Sequence, residues 1–209
     1  APDGRANDYF GSAVAVDGNF VAVGASSADV ERDGNLQGNA GKVYLYKMVD
    51  GNASYVDTLT FEYPHGYSYF GHSLGISDGM LAVGSYSNEY NPDGSYTGHT
   101  DSGSVSLYKL SENSPARMTA FLKSPVPVER GYFGYSLDLQ DNQLVVGAYQ
   151  EDSERAADSG AAYLFEISED GKPTLIERFT HPQAKASDRF GTSVGVSGRN
   201  LIIGAYQFD

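Results

Sequence analysis

Four Phe-Gly pairs, Phe10-Gly11, Phe70-Gly71, Phe133-Gly134 and Phe190-Gly191, recur at intervals of 60, 63 and 57 residues. Each opens a run of small and branched residues that closes on Val-Gly-Ala, Val-Gly-Ser or Ile-Gly-Ala. A near-constant period of this length signals a stacked or radial array, in which each unit buries its apolar surface against the next. The repeat therefore constrains the fold before any single residue does.

Each unit reads as four strands. The first covers 11–16, 71–76, 134–139 and 191–196 in the four copies. One face carries Val14/Val16, Leu74/Ile76, Leu137/Leu139 and Val194/Val196, and the other Ala13/Ala15, Ser73/Gly75, Ser136/Asp138 and Ser193/Gly195. This is period-two alternation of large against small residues, which suits tight stacking of neighbouring sheets. Asp138 alone breaks the small face. A short Asp-Gly, Asp-Asn or Gly-Arg turn leads to a second strand, 20–25, 80–85, 144–148 and 201–205, that is apolar nearly throughout, as for a strand buried on both sides. Near its end each copy places a Gly (Gly24, Gly84, Gly147, Gly204), where backbones approach closely or turn. A polar loop then reaches a third strand (41–46, 103–108, 160–165) and a less regular fourth (56–61, 118–122, 175–179). A proline-containing link returns to the next Phe-Gly. Four antiparallel strands per unit, unit after unit, predict an all-β fold built of β-propeller blades.

Composition narrows the partners. Asp and Glu number 27 against 14 Lys and Arg, a formal net charge of −13, so a nucleic-acid backbone is not the expected ligand. No run approaches the roughly 18 apolar residues of a membrane span. The absence of cysteine removes disulfides and thiolate zinc sites and fits a secreted or surface context.

The recurring Phe-Gly and Val-Gly-Ala pairs, with Gly-Lys-Val-Tyr-Leu-Tyr at 41–46, resemble the FG-GAP repeat of integrin α-subunits and of many bacterial surface proteins, and look more like the bacterial branch. The resemblance implies four-stranded blades, with repeats at 9–68, 69–131, 132–188 and a partial one at 189–209. It places each Phe between adjacent sheets and each following Gly where backbones pass. Three units are complete and the fourth ends after its first hairpin, about three and a half blades, whereas propellers usually close with four to eight. The reading therefore expects further blades, another chain or a longer parent protein to cover the open faces.

The loops after the second strands hold the candidate metal site. Asp29, Glu31, Asp33, Gly34, Asn35 and Gln37 in the first unit match Glu89, Asn91, Asp93, Gly94, Ser95 and Thr97 in the second. Alternate oxygen residues followed by Gly at the sixth position form the head of a calcium loop. The resemblance implies calcium there, of the form D-x-[DN]-x-D-G-x-x-D. The ninth position departs from that pattern, being Gln37 or Thr97, and Glu89 replaces the first Asp. The alternative is a plain Asp-Gly turn. The third loop has Asp152, Glu154 and Asp158 without the Gly, and is read as not binding metal.

No catalytic constellation stands out. His65, His72, His99 and His181 do not recur at equivalent positions, and no Ser lies in a Gly-x-Ser-x-Gly setting. Tyr86, Tyr149 and Tyr206 recur with the fold and read as packing. The cluster of Tyr63, Tyr67 and Tyr69 in the link does not recur as a cluster, so these are the candidates for contact with a protein or carbohydrate ligand. The expectation is a non-catalytic, calcium-stabilised binding or adhesion module. A propeller belonging to a secreted enzyme, or a pure scaffold, stands as the alternative.

Overall fold

The computed structural model describes residues 1–112, 114–153 and 156–207, and every regular element among them is a strand. The first unit holds β1 (Phe10–Asp17), β2 (Phe20–Ala25), a short pair β3 (Val30–Arg32) and β4 (Asn35–Gln37), then β5 (Lys42–Val49) and β6 (Asn52–Leu59). The second holds β7 (Ser73–Ser77), β8 (Met80–Ser85), β9 (Ser104–Lys109) and β10 (Arg117–Lys123). The third holds β11 (Phe133–Gln140), β12 (Gln143–Ala148), β13 (Ala161–Ile167) and β14 (Pro173–Phe179). A last hairpin pairs β15 (Phe190–Ser197) with β16 (Asn200–Ala205). The sheets run β1-β2-β5-β6, β7-β8-β9-β10 and β11-β12-β13-β14, all antiparallel. These are three blades and half of a fourth.

The first strands stack in order, β1 on β7, β7 on β11 and β11 on β15. Large faces meet small ones: Leu137 and Leu139 of the third sheet press on Gly75 of the second, where a Cβ would lie 3.0 Å from Leu139. The core thus lies between sheets. One cluster joins Val43, Leu45 and Phe70 with Leu81 and Val83, and another joins Val105 and Leu107 with Phe133 and Leu144.

The Phe-Gly pair is a β-bulge. Pairing of β11 with β12 breaks between Phe133 and Ser136, and the Gly adopts a positive φ of 87°. The bulge pushes its Gly backbone against the previous sheet. A Cβ on Gly24 would lie 2.1 Å from the Gly71 carbonyl oxygen, on Gly84 2.3 Å from that of Gly134, and on Gly147 2.0 Å from that of Gly191. The two glycines of the repeat are therefore one contact, made across each blade boundary, and only hydrogen fits between them.

Polar bonds reinforce the stack. Ser73 and Ser136 donate to the carbonyls of Gly134 and Gly191, at 2.7 and 2.8 Å. Asp138, the exception on the small face, accepts the Val196 N–H of the next unit at 2.8 Å. Phe70 and Phe133 are fully buried as expected and Phe190 is part-buried. Phe10 departs from the expectation: it is 45% exposed, because no sheet packs in front of β1. Val14 and Val16 on the same face are exposed for the same reason, and Ile202 is exposed on the opposite open face.

Candidate functional site

The strand register brings the links and the long loops to one end of the stack. Phe10 pairs with Ala25, Ala25 with Lys42, and Val43 with Leu59. Loops 26–41, 86–103 and 149–160 therefore emerge beside links 60–72, 124–132 and 180–189. The opposite end carries the hairpin turns and several clefts, one of about 470 Å³ lined by Asp78, Asp141, Lys109 and Glu169. Lys109 there donates to the Glu169 carbonyl.

The first candidate loop is a β-ribbon. Val30 pairs with Gln37, Glu31 with Leu36 and Arg32 with Asn35, around a two-residue Asp33-Gly34 turn with φ of 51° and 74°. Positive φ at both central residues is the type I′ geometry that Asp-Gly favours. Since side chains alternate across a ribbon, Glu31 shares a face with Leu36 while Asn35 and Gln37 take the other. Asp29 accepts the Asn39 N–H at 3.0 Å, and Asp33 stands at the tip beside Arg32, 3.5 Å away. The structure does not bring these five oxygen-bearing side chains together.

The second loop differs by one residue of turn. Tyr90 bridges Tyr96, the Thr97 N–H donates to the Glu89 carbonyl, and the Asn91 N–H to the Ser95 carbonyl. The turn is Pro92-Asp93-Gly94, closed by the Gly94 N–H on the Asn91 carbonyl, with Gly94 at φ 81°. This register puts Glu89, Asn91, Ser95 and Thr97 on one face and Tyr90 and Tyr96 on the other. The Ser95 hydroxyl donates to Asp93 at 2.6 Å, and the Asn91 amide donates to the Ser95 hydroxyl at 2.9 Å. Burial, together with the neighbouring Asp101 carboxylate, raises the pKa of Glu89. Asp101 in turn accepts the Ser87 hydroxyl. Among the described residues no three His, Asp or Glu side chains gather as a metal cluster. Glu154 of the third loop lies outside the described residues.

The three candidate tyrosines separate. Tyr63 lies under the Arg32 guanidinium, 5.1 Å from the ring centroid, while Arg32 also donates to the Pro64 carbonyl. The neighbouring His65 stacks on Tyr90 at 3.4 Å between centroids, so the link ties the two loops together. Tyr67 and Tyr69 belong to a second group nearer the first strands. Tyr67 is 65% exposed and meets Tyr69 edge-on. Tyr69 stacks on Tyr86 at 5.1 Å, and Tyr86 touches Tyr132 at 5.7 Å across the blade boundary. Tyr132 stacks on Tyr149 at 5.4 Å, and His72 fills the space between Tyr86 and Tyr135. Tyr86 and Tyr149 thus pack, as their recurrence suggests, but in a half-buried arc on the loop end, whereas Tyr206, expected to pack with them, is 72% exposed on the open last hairpin. Burial, helped by Tyr132 and Tyr135, pushes the Tyr149 hydroxyl up to about 12, so it stays protonated at neutral pH.

One buried group escapes sequence reasoning. Glu151 is fully buried, accepting from Tyr163 at 2.5 Å, Ser124 at 2.9 Å and Arg178 at 2.8 Å. Burial raises its pKa and these three donors lower it. Ala28 and Asn88 hold the same position in the first two units, three residues beyond the second strand. Only superposing the copies singles out the third as charged.

A family model described as FG-GAP repeat matches residues 1–46, 127–165 and 174–209, more than half of the chain. The strands of the second unit, β7 to β10, lie outside the matched regions, yet their sheet has the topology of the first and third. No curated protein matches the chain. No helix among the described residues is long and apolar enough to cross a membrane.

Proposed function

The chain belongs to the FG-GAP repeat family, and we propose that it is a non-catalytic binding or adhesion module of the extracellular kind, using the loop end as its binding face. Repeats of this family form β-propeller-type modules, commonly of extracellular proteins. The observation that carries the reading is the concentration of half-exposed tyrosine on that one end, held by rigid strand termini. Tyrosine joins a wide apolar ring to a wet hydroxyl, the combination favoured at recognition surfaces. The exposed Val14 and Val16 on one terminal sheet and Ile202 on the other support a second element of the proposal: further blades, of this polypeptide or another, cover both faces.

Calcium enters as part of the same proposal, in the loop from Glu89 to Thr97. Two carboxylates, an amide and two hydroxyls lie on one face or at the tip of that ribbon, the hard-oxygen donor set this ion takes. A bound ion would fix the loop against the link that carries Tyr63 and His65. The first loop has the same spacing with its oxygens divided between two faces, so the proposal does not extend to it.

The test of the binding face is retention of labelled protein on arrays of glycans and of peptides. Tyr67→Ala and Tyr86→Ala should each reduce retention several-fold, while Asp170→Ala, at the opposite end, leaves it unchanged. Retention that ignores the loop-end substitutions would refute the reading.

A further inference from the structure

We propose that the inner tyrosine arc binds a neutral oligosaccharide chain, an assignment that rests on the loop end being the binding face. Tyr69 stacks on Tyr86 at 5.1 Å, and Tyr86, Tyr132, Tyr149 and Tyr135 close into a group of four with successive ring centroids 5.7, 5.4, 4.3 and 5.5 Å apart. Tyr86 and Tyr149 directly follow β8 and β12, and Tyr132 and Tyr135 flank the start of β11. Their spacing is therefore set by blade stacking and not by loop flexibility, so little ordering is left to do on binding.

The hydroxyls are the second observation. None of the phenols of Tyr69, Tyr86, Tyr132, Tyr135 and Tyr149 has a hydrogen-bond partner among the described residues, and none is buried. The rings pack on one another, and each residue stays partly exposed, which leaves its unpaired hydroxyl open to a ligand. Such phenols can both donate to and accept from the hydroxyls of a sugar. At one end Tyr67 offers an open ring face, 65% exposed, to the C–H face of a terminal sugar. At the other, Arg189 lies over Tyr149, 5.9 Å from its centroid, and keeps a buried Nε without an acceptor.

The chemistry of the arc favours a sugar over a protein partner. A protein interface is anchored by apolar side chains seated in pockets. The arc is made of phenol rings and presents their unpaired hydroxyls. Charge favours a neutral glycan: burial first, then Asp101 and Asp158, with Arg130 opposing them, raise the Tyr132 hydroxyl, and the chain carries −13 overall. Polyanionic chains would be repelled.

Electrophoresis in gels containing soluble neutral polysaccharides (hydroxyethyl cellulose, galactomannan, dextran) tests the proposal, with polygalacturonate as the acidic counterpart. At least one neutral gel should retard the protein and the acidic gel should not. Tyr149→Ala should weaken retardation at least tenfold. The double variant Tyr86→Phe/Tyr149→Phe keeps the stack and deletes two hydroxyls, so it should fold and still bind about tenfold or more weakly, at roughly 1 kcal/mol per hydrogen bond. Tyr55→Phe on β6 should behave as the parent. No retardation in any neutral gel, or retardation indifferent to the double variant, overturns the proposal. If the double variant instead weakens binding to an immobilised proline-rich peptide, the sugar assignment falls and the binding face stands. If neither ligand class binds through these tyrosines, both fall.

Discussion

The loops 29–37 and 89–97 have the same oxygen spacing and the same Asp-Gly at their tips, yet they fold into different ribbons. Residue 32 is Arg and its counterpart 92 is Pro. Arg32 takes a place in β3 and pairs with Asn35, leaving a two-residue turn. Pro92 has no N–H to pair and its fixed φ suits the second position of a type I turn, so the turn grows to three residues with Gly94 left-handed. The register slips by one, and a one-residue slip moves side chains to the opposite face. In the second loop it gathers the oxygens; in the first it splits them. A ligand pattern read along the chain is thus conditional on the turn that folds it.

The largest effect that can separate the two loops is expected at their glycines. Gly34 and Gly94 both have φ near 80° or just below, but a Cβ on Gly34 meets nothing within 4 Å, whereas one on Gly94 would lie 3.0 Å from the Tyr63 ring. Gly34→Ala should cost about 1 kcal/mol of backbone strain. Gly94→Ala should cost about 2 kcal/mol or more, since Tyr63 must also move away from Arg32. For a protein of this size the melting midpoint should fall by roughly 2–4 °C per kcal/mol. Equal shifts would mean the link does not lean on the second loop.

Calcium sharpens the comparison next. At ten times its dissociation constant a native-only ligand stabilises by about 1.4 kcal/mol. Titration calorimetry of metal-stripped protein should give heat that Asp93→Ala removes and Asp33→Ala, in the loop whose oxygens are split between two faces, preserves. Because burial and Asp101 raise the Glu89 pKa, the heat should fade at mildly acidic pH earlier than for an ordinary carboxylate. No heat at millimolar calcium would return the second loop to a plain turn.

Most of the blade was legible because its signals are local and repeated. The second strands 20–25 and 80–85 coincide with β2 and β8, and the large and small faces of the first strands predict which side meets which neighbour. The exposure of Phe10 was not legible, because it depends on whether a sheet stands in front of β1. The β3–β4 ribbon inside the first loop was also missed. Its alternation lasts three residues a side, and its turn is the Asp-Gly that invited the calcium reading. The tyrosine arc was half legible: recurrence marked Tyr86 and Tyr149 as packing, and Tyr69 and Tyr132 recur as well, each just before a Phe-Gly pair, but the contact between the two sets spans 17 residues of chain and has no local signal. Glu151 has no local signal at all, since its partners Ser124, Tyr163 and Arg178 come from three separate segments.

A smaller effect tests the bridge between the loops. Arg32 covers Tyr63 and donates to the Pro64 carbonyl, contacts that Pro92 cannot make in the second loop. Arg32→Ala should cost about 1 kcal/mol, through lost stacking more than lost charge. Arg32→Lys should recover little of it, because a guanidinium lies flat on a ring and an ammonium does not. Thermal melts of the two variants check this, and full recovery by lysine would show that charge alone acts.

The smallest effect is a pH dependence lodged on the apolar side of the second loop. His65 stacks on Tyr90, and burial, with the Arg32 charge beside it, lowers its pKa below the ordinary 6.5. His72, wedged among Tyr86 and Tyr135, is lowered by burial alone. The folded state therefore holds both rings neutral while the unfolded chain takes up protons near pH 6.5. The unfolded state binds more protons below that value, so stability is complete above it and declines as the pH falls toward the lowered folded values. The raised carboxyls of Glu89 and Glu151 act in the opposite sense, since the folded state protonates them first. The histidine share is isolated by difference, comparing parent and His65→Gln midpoints between pH 7.5 and 5.5. His65 is partly solvated, so its share should be about 0.5 kcal/mol or less. His65→Gln should flatten the decline slightly while lowering the midpoint at pH 7.5 through loss of the stack. A decline of identical slope in the variant would remove His65 from the coupling between the loops and leave His72 to account for it.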